Sequence, residues 1–237
     1  MARKITKVKH LEMNLQEIKK FENPKNELEQ YMTSPGQAAH TLMAIESQWG
    51  DIIERSVADL GCGTGMLSIG ASILGADYVL GVEMDSEAME ICKYNIDNHD
   101  YDLSSIDLMA MDVVQLHQHL NFYKEKQSDK EVSEKQAVVS NLYKKFDTVI
   151  MNPPFGTKDE SHGIDMIFLE TAVAMATCAV YSFHLTSTTR YIKKKAKEIN
   201  TKVEVVDDFD ISLPKTYKFH TKKKDSTQVS LFRFEIR

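Results

Sequence analysis

The sequence predicts an α/β domain: a seven-stranded, mainly parallel sheet with helices on both faces and an antiparallel strand at its C-terminal end. Three observations predict it. Apolar segments of strand length alternate with helical patterns between residues 57 and 199, the order that produces right-handed βαβ units. A glycine-rich turn, Gly61-Cys62-Gly63-Thr64-Gly65, joins the first strand to the helix that follows it. The last two strand patterns, 203–208 and 229–236, have no helical pattern between them, so they should pair antiparallel at one end of the sheet.

Each element follows from its local pattern. Val8, Leu11, Leu15, Ile18 and Phe21 recur at helical spacing and predict an amphipathic helix over 7–21, ended by Asn23-Pro24. A second helix is expected over 34–49, with Ser34 as N-cap and Pro35 at the first helical position. Residues 57–60 are a short apolar run entering glycines, which reads as a buried strand. Helix over 67–74, strand over 78–82, helix over 86–95 and strand over 106–111 complete the first half. Strand over 146–151, helix over 165–177, strand over 179–185 and helix over 188–199 lead to the closing pair. Residues 1–50 therefore read as a helical extension and 51–237 as the sheet domain. A charged stretch near 121–141, containing KEKQSDKEVSEK at 124–135, has no core face. It reads as an insertion, either a surface loop or a solvated helix.

Composition narrows the class. The chain is 42% hydrophobic and 27% charged, ordinary for a globular domain. Its three cysteines, Cys62, Cys92 and Cys178, show no CxxC spacing, so neither a disulfide framework nor a zinc site is indicated. Cys92 and Cys178 are expected to be packed, and His184 to be a hydrogen-bonded core residue. His117 and His119 lack an acid or thiol to complete a metal set. No apolar run reaches the ~18 residues that a membrane span needs, and the N-terminus has no signal-peptide core; the expected location is cytosolic or nuclear. The net charge of −6 is awkward for a nucleic-acid enzyme, because phosphate contacts need positive charge. The basic residues do cluster, however, from Arg190 onward.

The candidate site begins at Asp59-Leu60-Gly61-Cys62-Gly63-Thr64-Gly65. Glycines after a strand let the backbone turn sharply and approach a ligand closely. The spacing is GxGxG rather than GxGxxG, and no GK[ST] follows, so neither a dinucleotide fold nor a P-loop is spelled. Glu83 ends the next strand, where a carboxylate can accept both ribose hydroxyls of a nucleoside. Asp112 ends the third and can accept from an adenine amino group, with the Val113 amide beside it; alone, Asp112 could equally cap a helix. Asn152-Pro153-Pro154-Phe155 follows the fourth strand. Its prolines fix the turn and remove backbone donors, which leaves the Asn152 side-chain oxygen and the Pro153 carbonyl as rigid acceptors. Two such acceptors suit the two in-plane N–H groups of an aromatic amine, whose delocalised lone pair is a poor nucleophile until it is oriented. Phe155 offers a face for the base.

DLGCGTG, Glu83, Asp112 and NPPF in this order resemble the class I, Rossmann-like methyltransferases of the amino-group type. LEQYMTSP, ADLGCGTGMLSIGA, FDTVIMNPPFGTK, AVYSFH and LPKTYKFHTKKK further resemble the methyltransferase-like protein 5 family, over nearly the whole chain. The resemblance implies S-adenosyl-L-methionine as cofactor and N6-methylation of an adenine in small-subunit (18S) ribosomal RNA. It implies that the 1–50 extension completes the cofactor site. Cofactor contacts are implied for Gln30, Thr33, Asp59, Gly61, Gly63, Thr64, Gly65, Met66, Glu83, Asp112, Val113 and Asn152, and catalysis for Asn152, Pro153, Pro154 and Phe155. It implies a small zinc-containing activator subunit as heterodimer partner. Thr64 and Glu83 stand where relatives often carry Cys and Asp, exchanges that keep the chemistry.

The residues offer two further hints. The third strand is expected at the sheet edge with Ile106, Leu108, Met109 and Met111 on both faces, which a partner strand or the chain's own helices could cover. Lys215, Tyr217, Lys218, Phe219, His220, Lys222, Lys223 and Lys224 mix bases with aromatics, which suits an RNA strand or a solvated loop. Other acceptors of the methyl group are a protein glutamine amide and guanine N2. A non-catalytic cofactor-binding scaffold is the remaining alternative.

Overall fold

A computed structural model describes residues 5–126, 141–156, 163–212 and 226–236. The sheet is built from β1 (Ser56–Leu60), β2 (Tyr78–Glu83), β3 (Ile106–Ala110), β4 (Phe146–Met151), β5 (Ala176–Leu185), β6 (Lys202–Ser212) and β7 (Ser226–Glu235). The strand order is β3-β2-β1-β4-β5-β7-β6. The first five strands run parallel. β7 inserts between β5 and β6, antiparallel to both. The predicted architecture is therefore the observed one. Chain order reverses at β1, between β2 and β4, and the crevice outside the carboxyl ends at such a point is where open α/β sheets bind ligands.

Helices cover the two faces. α1 (Val8–Leu15), α2 (Pro35–Trp49) and α3 (Met66–Leu74) lie over one, burying Leu11, Leu15, Leu42, Ile45 and Ile69 against Tyr181 and Leu231. α5 (Val113–Lys126) and α6 (Ile164–Met175) lie over the other with α7 (Thr189–Glu198), burying Leu116, Leu120, Leu169 and Ile192 against Phe232 and Phe234. α4 (Ser86–Asp97) follows β2. The predicted capping box at Ser34 is present: its hydroxyl takes the Gln37 N–H and the Gln37 side chain takes the Ser34 N–H. α2 lies so close to α3 that a Cβ on Gly70 would collide with Leu42.

Four expectations need correction. The first helix ends at Leu15 rather than at residue 21, because the Asn95 side chain takes the Lys19 N–H at 2.9 Å and donates to the Lys19 carbonyl at 3.1 Å. Helical bonds cannot continue through a residue held that way. α5 was not predicted, since Gln115, His117, Gln118 and His119 hide the apolar pair Leu116 and Leu120, one turn apart. The expected helix over 165–177 stops at Met175, and β5 begins at once with Ala176. There the Lys144 ammonium donates to the Val173 and Ala176 carbonyls, each at 2.9 Å. Cys178 is exposed in β5, not packed in a helix, whereas Cys92 is buried. His184 is buried and bonds Ser182 as expected. The charged segment 127–140 lies outside the described residues.

Candidate active site

Register places the site residues in a row. Leu60 pairs with Val82 and Met151, and Glu83 with Ala110. The glycine turn, Glu83, Asp112 and Asn152 therefore emerge side by side at the carboxyl ends of β1, β2, β3 and β4.

The glycine turn needs its glycines. Gly61, Gly63 and Gly65 have φ of 72°, 55° and 92°, the left-handed region that side chains disfavour. A Cβ on Gly63 would lie 2.8 Å from the Phe21 ring, so the N-terminal segment packs directly on the turn. Glu83 is buried, and its carboxylate receives the Gly63 N–H at 2.9 Å, the Met84 N–H at 2.9 Å and the Asp85 N–H at 2.8 Å. Burial pushes its carboxyl above the usual range, and the three N–H groups partly offset this. The acid is thus fixed in direction, with lone pairs remaining for a diol. Asp59 is fully buried, accepting from the Ser68 hydroxyl at 2.6 Å. Desolvation raises its carboxyl to about 7, with the Ser68 bonds opposing and the nearby Glu83 charge adding. Such a group is primed to release a proton when a cation arrives beside it.

Asp112 serves the role that the residues alone left open: its carboxylate accepts the Val114 N–H at 2.8 Å and caps α5. It also lines a cavity with Glu83, Met84, Met111, Val113, Gly61, Gly63 and Asn152, so capping and ligand contact are compatible. Met84 and Met111 are apolar walls of this cavity to which no motif points. Thr64, Met66, Asp59, Thr33 and Asn152 line a neighbouring cavity. A third, about 580 Å³, is lined by Asn152, Phe155, Tyr31, Thr33, Phe183 and Phe209 among others. Asn152 faces all three.

The orientation of Asn152 is set from the N-terminal segment. Its amide nitrogen donates to the Tyr31 carbonyl at 3.3 Å and to the Thr33 hydroxyl at 3.1 Å. Both amide hydrogens are engaged, so the amide oxygen is left as the acceptor for whatever enters. Gln30 donates to Asp85 at 2.6 Å and accepts the Lys25 N–H at 2.7 Å, while Lys25 bonds Asp85 at 2.6 Å. Burial pushes the Asp85 carboxyl up, but the bonds from Lys25 and Gln30 prevail and hold it below its usual range. Gln30 lines the cavities while tying the segment to the turn after β2. Glu29, which lies in LEQYMTSP without an expected role, is buried and accepts the Phe155 N–H at 3.0 Å. Pro153 is buried, Pro154 lines the Glu83 cavity and Phe155 the large one. Residues 215–224, the expected RNA contacts, lie outside the described residues.

Residues 36–152 match the family model of ribosomal protein L11 methyltransferase (PrmA), a match that stops at Asn152. The crystal structure of a proposed RNA methyltransferase from Pyrococcus horikoshii is 32% identical, with a TM-score of 0.74 and coverage of 98% of this chain and 97% of that one. The rRNA N(6)-adenosine-methyltransferase METTL5 of Danio rerio is 44% identical, covering 96% of this chain and 98% of the relative. Its counterpart of the same name in Drosophila melanogaster is 41% identical, covering 97% of both. Identity at that level over the whole length, with the glycine turn, the acid of β2 and NPPF where the fold requires them, means that the chain belongs to the METTL5 family of rRNA N(6)-adenosine-methyltransferases.

Proposed function

We propose that this chain methylates the N6 amino group of an adenosine in small-subunit ribosomal RNA, with S-adenosyl-L-methionine as cofactor. The observation that carries the reading is the Asn152 amide. It stands where three cavities meet, with its nitrogen engaged by Tyr31 and Thr33 and its oxygen left to accept.

The residues present fit the cofactor. Glu83 would take the ribose hydroxyls, and Met84, Met111 and Val113 with Asp112 would wall the adenine. The buried Asp59, with Gly61, Gly63, Thr64, Gly65 and Met66, suits the amino-acid end. Gln30 and Thr33 close the site from the 1–50 extension. When bound, the cofactor supplies an electrophilic methyl group on a sulfonium. The chain contributes position. Asn152 Oδ1 and the Pro153 carbonyl accept the two amino hydrogens of adenine and aim the nitrogen lone pair out of the ring plane. Phe155 provides a wall for the base, which must be unpaired or flipped to enter. The prolines keep the turn rigid, since neither has an N–H to exchange.

Support for RNA over protein lies in the full-length relatives, which carry an rRNA adenosine activity in their names. The PrmA match favours a second reading, a protein substrate, but it ends before Pro153 and covers little of the base cavity. Two further parts of the reading concern partners. A small zinc-containing activator subunit would add to β3, an edge strand on which Leu108 and Met109 are only half-buried. The basic 215–224 segment would track the RNA backbone. Among the described residues no helix is long and apolar enough to cross a membrane, and a cytosolic or nuclear location belongs to the same reading. The test is nucleoside mass spectrometry of small-subunit rRNA incubated with wild type or Asn152→Ala, beside a ribosomal-protein fraction. N6-methyladenosine with wild type only is expected; label confined to protein overturns the RNA assignment.

A further inference from the structure

The structure assigns Glu29 as a positioning residue for methyl transfer, holding the base-side turn through the Phe155 N–H. This rests on the reading of Asn152–Phe155 as the turn that grips the adenine amino group. Pro153 and Pro154 carry no N–H, so Phe155 offers the first backbone donor after Asn152. Glu29 Oε2 takes that donor at 3.0 Å across 126 residues of sequence. A neutral or apolar residue would be the ordinary occupant of a site only 5% exposed, because burying a carboxylate is costly unless its bonds repay it.

The backbone of Glu29 is arranged for this contact. It follows a single 3-10 turn, Asn26–Leu28, and sits in the left-handed region at φ 48°. That conformation is disfavoured for a non-glycine residue and persists where the surroundings enforce it. Here the Glu29 N–H bonds the Asn26 carbonyl at 3.1 Å and the Glu29 carbonyl takes the Tyr31 N–H at 2.8 Å. The next carbonyl toward the C-terminus that serves the site is that of Tyr31, which holds Asn152. One short strap thus grips both ends of the tetrapeptide: Tyr31 and Thr33 turn the Asn152 amide, and Glu29 fixes the backbone of the residue that walls the base. What the Phe155 N–H requires of Glu29 is reach and an accepting oxygen, which a carboxylate and a carboxamide both supply.

That distinction supplies the test. Glu29→Gln keeps the reach and the acceptor and removes the charge. Glu29→Asp keeps the charge and draws the oxygen back by one methylene. Both are assayed as full-length chains on small-subunit rRNA, beside wild type and Asn152→Ala, with kcat, KM for RNA and cofactor Kd measured separately. For Glu29→Asp we expect kcat to fall about tenfold or more, as a misplaced reacting group implies, with cofactor Kd within about twofold. Glu29→Gln should stay within about threefold of wild-type kcat, because its carbonyl oxygen restores the bond. Wild-type kcat in Glu29→Asp overturns the inference. So does a Gln variant impaired as deeply as the Asp variant, or a loss that appears in cofactor Kd. Wild type that binds cofactor yet leaves adenosine unmethylated removes the underlying reading instead, so the two failures are separable.

Discussion

The cofactor side and the base side of this cleft are built differently. On the cofactor side the decisive bonds are short in sequence: Ser68 to Asp59, nine residues apart, and Gly63 to Glu83, twenty apart. They lie within one β1-α3-β2 unit and fold with it. On the base side the decisive bonds reach from Asn152 to Thr33 and Tyr31, 119 and 121 residues away, and from Phe155 to Glu29, 126 away. The first side is an electrostatic pocket made by a local motif. The second is a rigid turn whose direction is imposed by a distant strap. Damage to the first should appear in cofactor affinity, and damage to the second in turnover.

The comparison can be tested in order of effect. Asn152→Ala should lower kcat by at least about a hundredfold, the usual cost of a lost transition-state donor or acceptor, with cofactor Kd altered by only a few-fold; calorimetry and steady-state kinetics together check it. Equal losses in both quantities would merge the two sides. Glu83→Ala should weaken cofactor binding by about 1.5–3 kcal/mol, as removal of a charged hydrogen-bonding partner does, read by calorimetry. A change confined to kcat would break the assignment of Glu83 to the nucleoside.

Asp59 gives a pH signature. Its carboxyl is raised to about 7 in the fold against 3.8 unfolded, so between those values the folded protein keeps a proton that the unfolded chain has lost. Stability that is complete below pH 4 therefore declines as pH rises through 7. Between pH 6 and pH 8 the loss is about 1.4 kcal/mol. Denaturant titrations of the cofactor-free protein should show this decline, and Asp59→Asn should remove it. The smallest effect is expected from Thr33→Val, which removes one of two partners of the Asn152 amide nitrogen. It should cost about 1 kcal/mol in kcat/KM, and substitution by Ser should restore it.

Much of the cofactor side was legible because its residues announce themselves locally. Glycines at positive φ, an acid ending β2 and Asp112 ending the next strand are visible as spacing, and the fold put them in a row. Asp112 was read two ways and turned out to cap α5 while facing the cavity. The base side was legible only in its tetrapeptide, Asn152 to Phe155. Glu29 and Tyr31 lie in LEQYMTSP, but their residue types point to no role: one acts through a buried carboxylate on a backbone N–H, the other through its backbone carbonyl. Such contacts depend on how α1 and α2 dock on α3, and docking leaves no spacing in the sequence. The helix boundary at Leu15 was missed for the same reason, since Asn95 stops it from another element. Phe21, taken only as the end of an apolar stripe, instead lies against Gly63.

On this reading the strap turns the Asn152 oxygen toward the base. A structure of the full chain with S-adenosylhomocysteine and an adenosine mononucleotide tests it most directly. The adenine amino nitrogen should lie within about 2.7–3.2 Å of Asn152 Oδ1, with Asn152 Nδ2 still on Tyr31 and Thr33. An Asn152 amide rotated to present its nitrogen to the base, or an adenine seated away from it, would rule this geometry out.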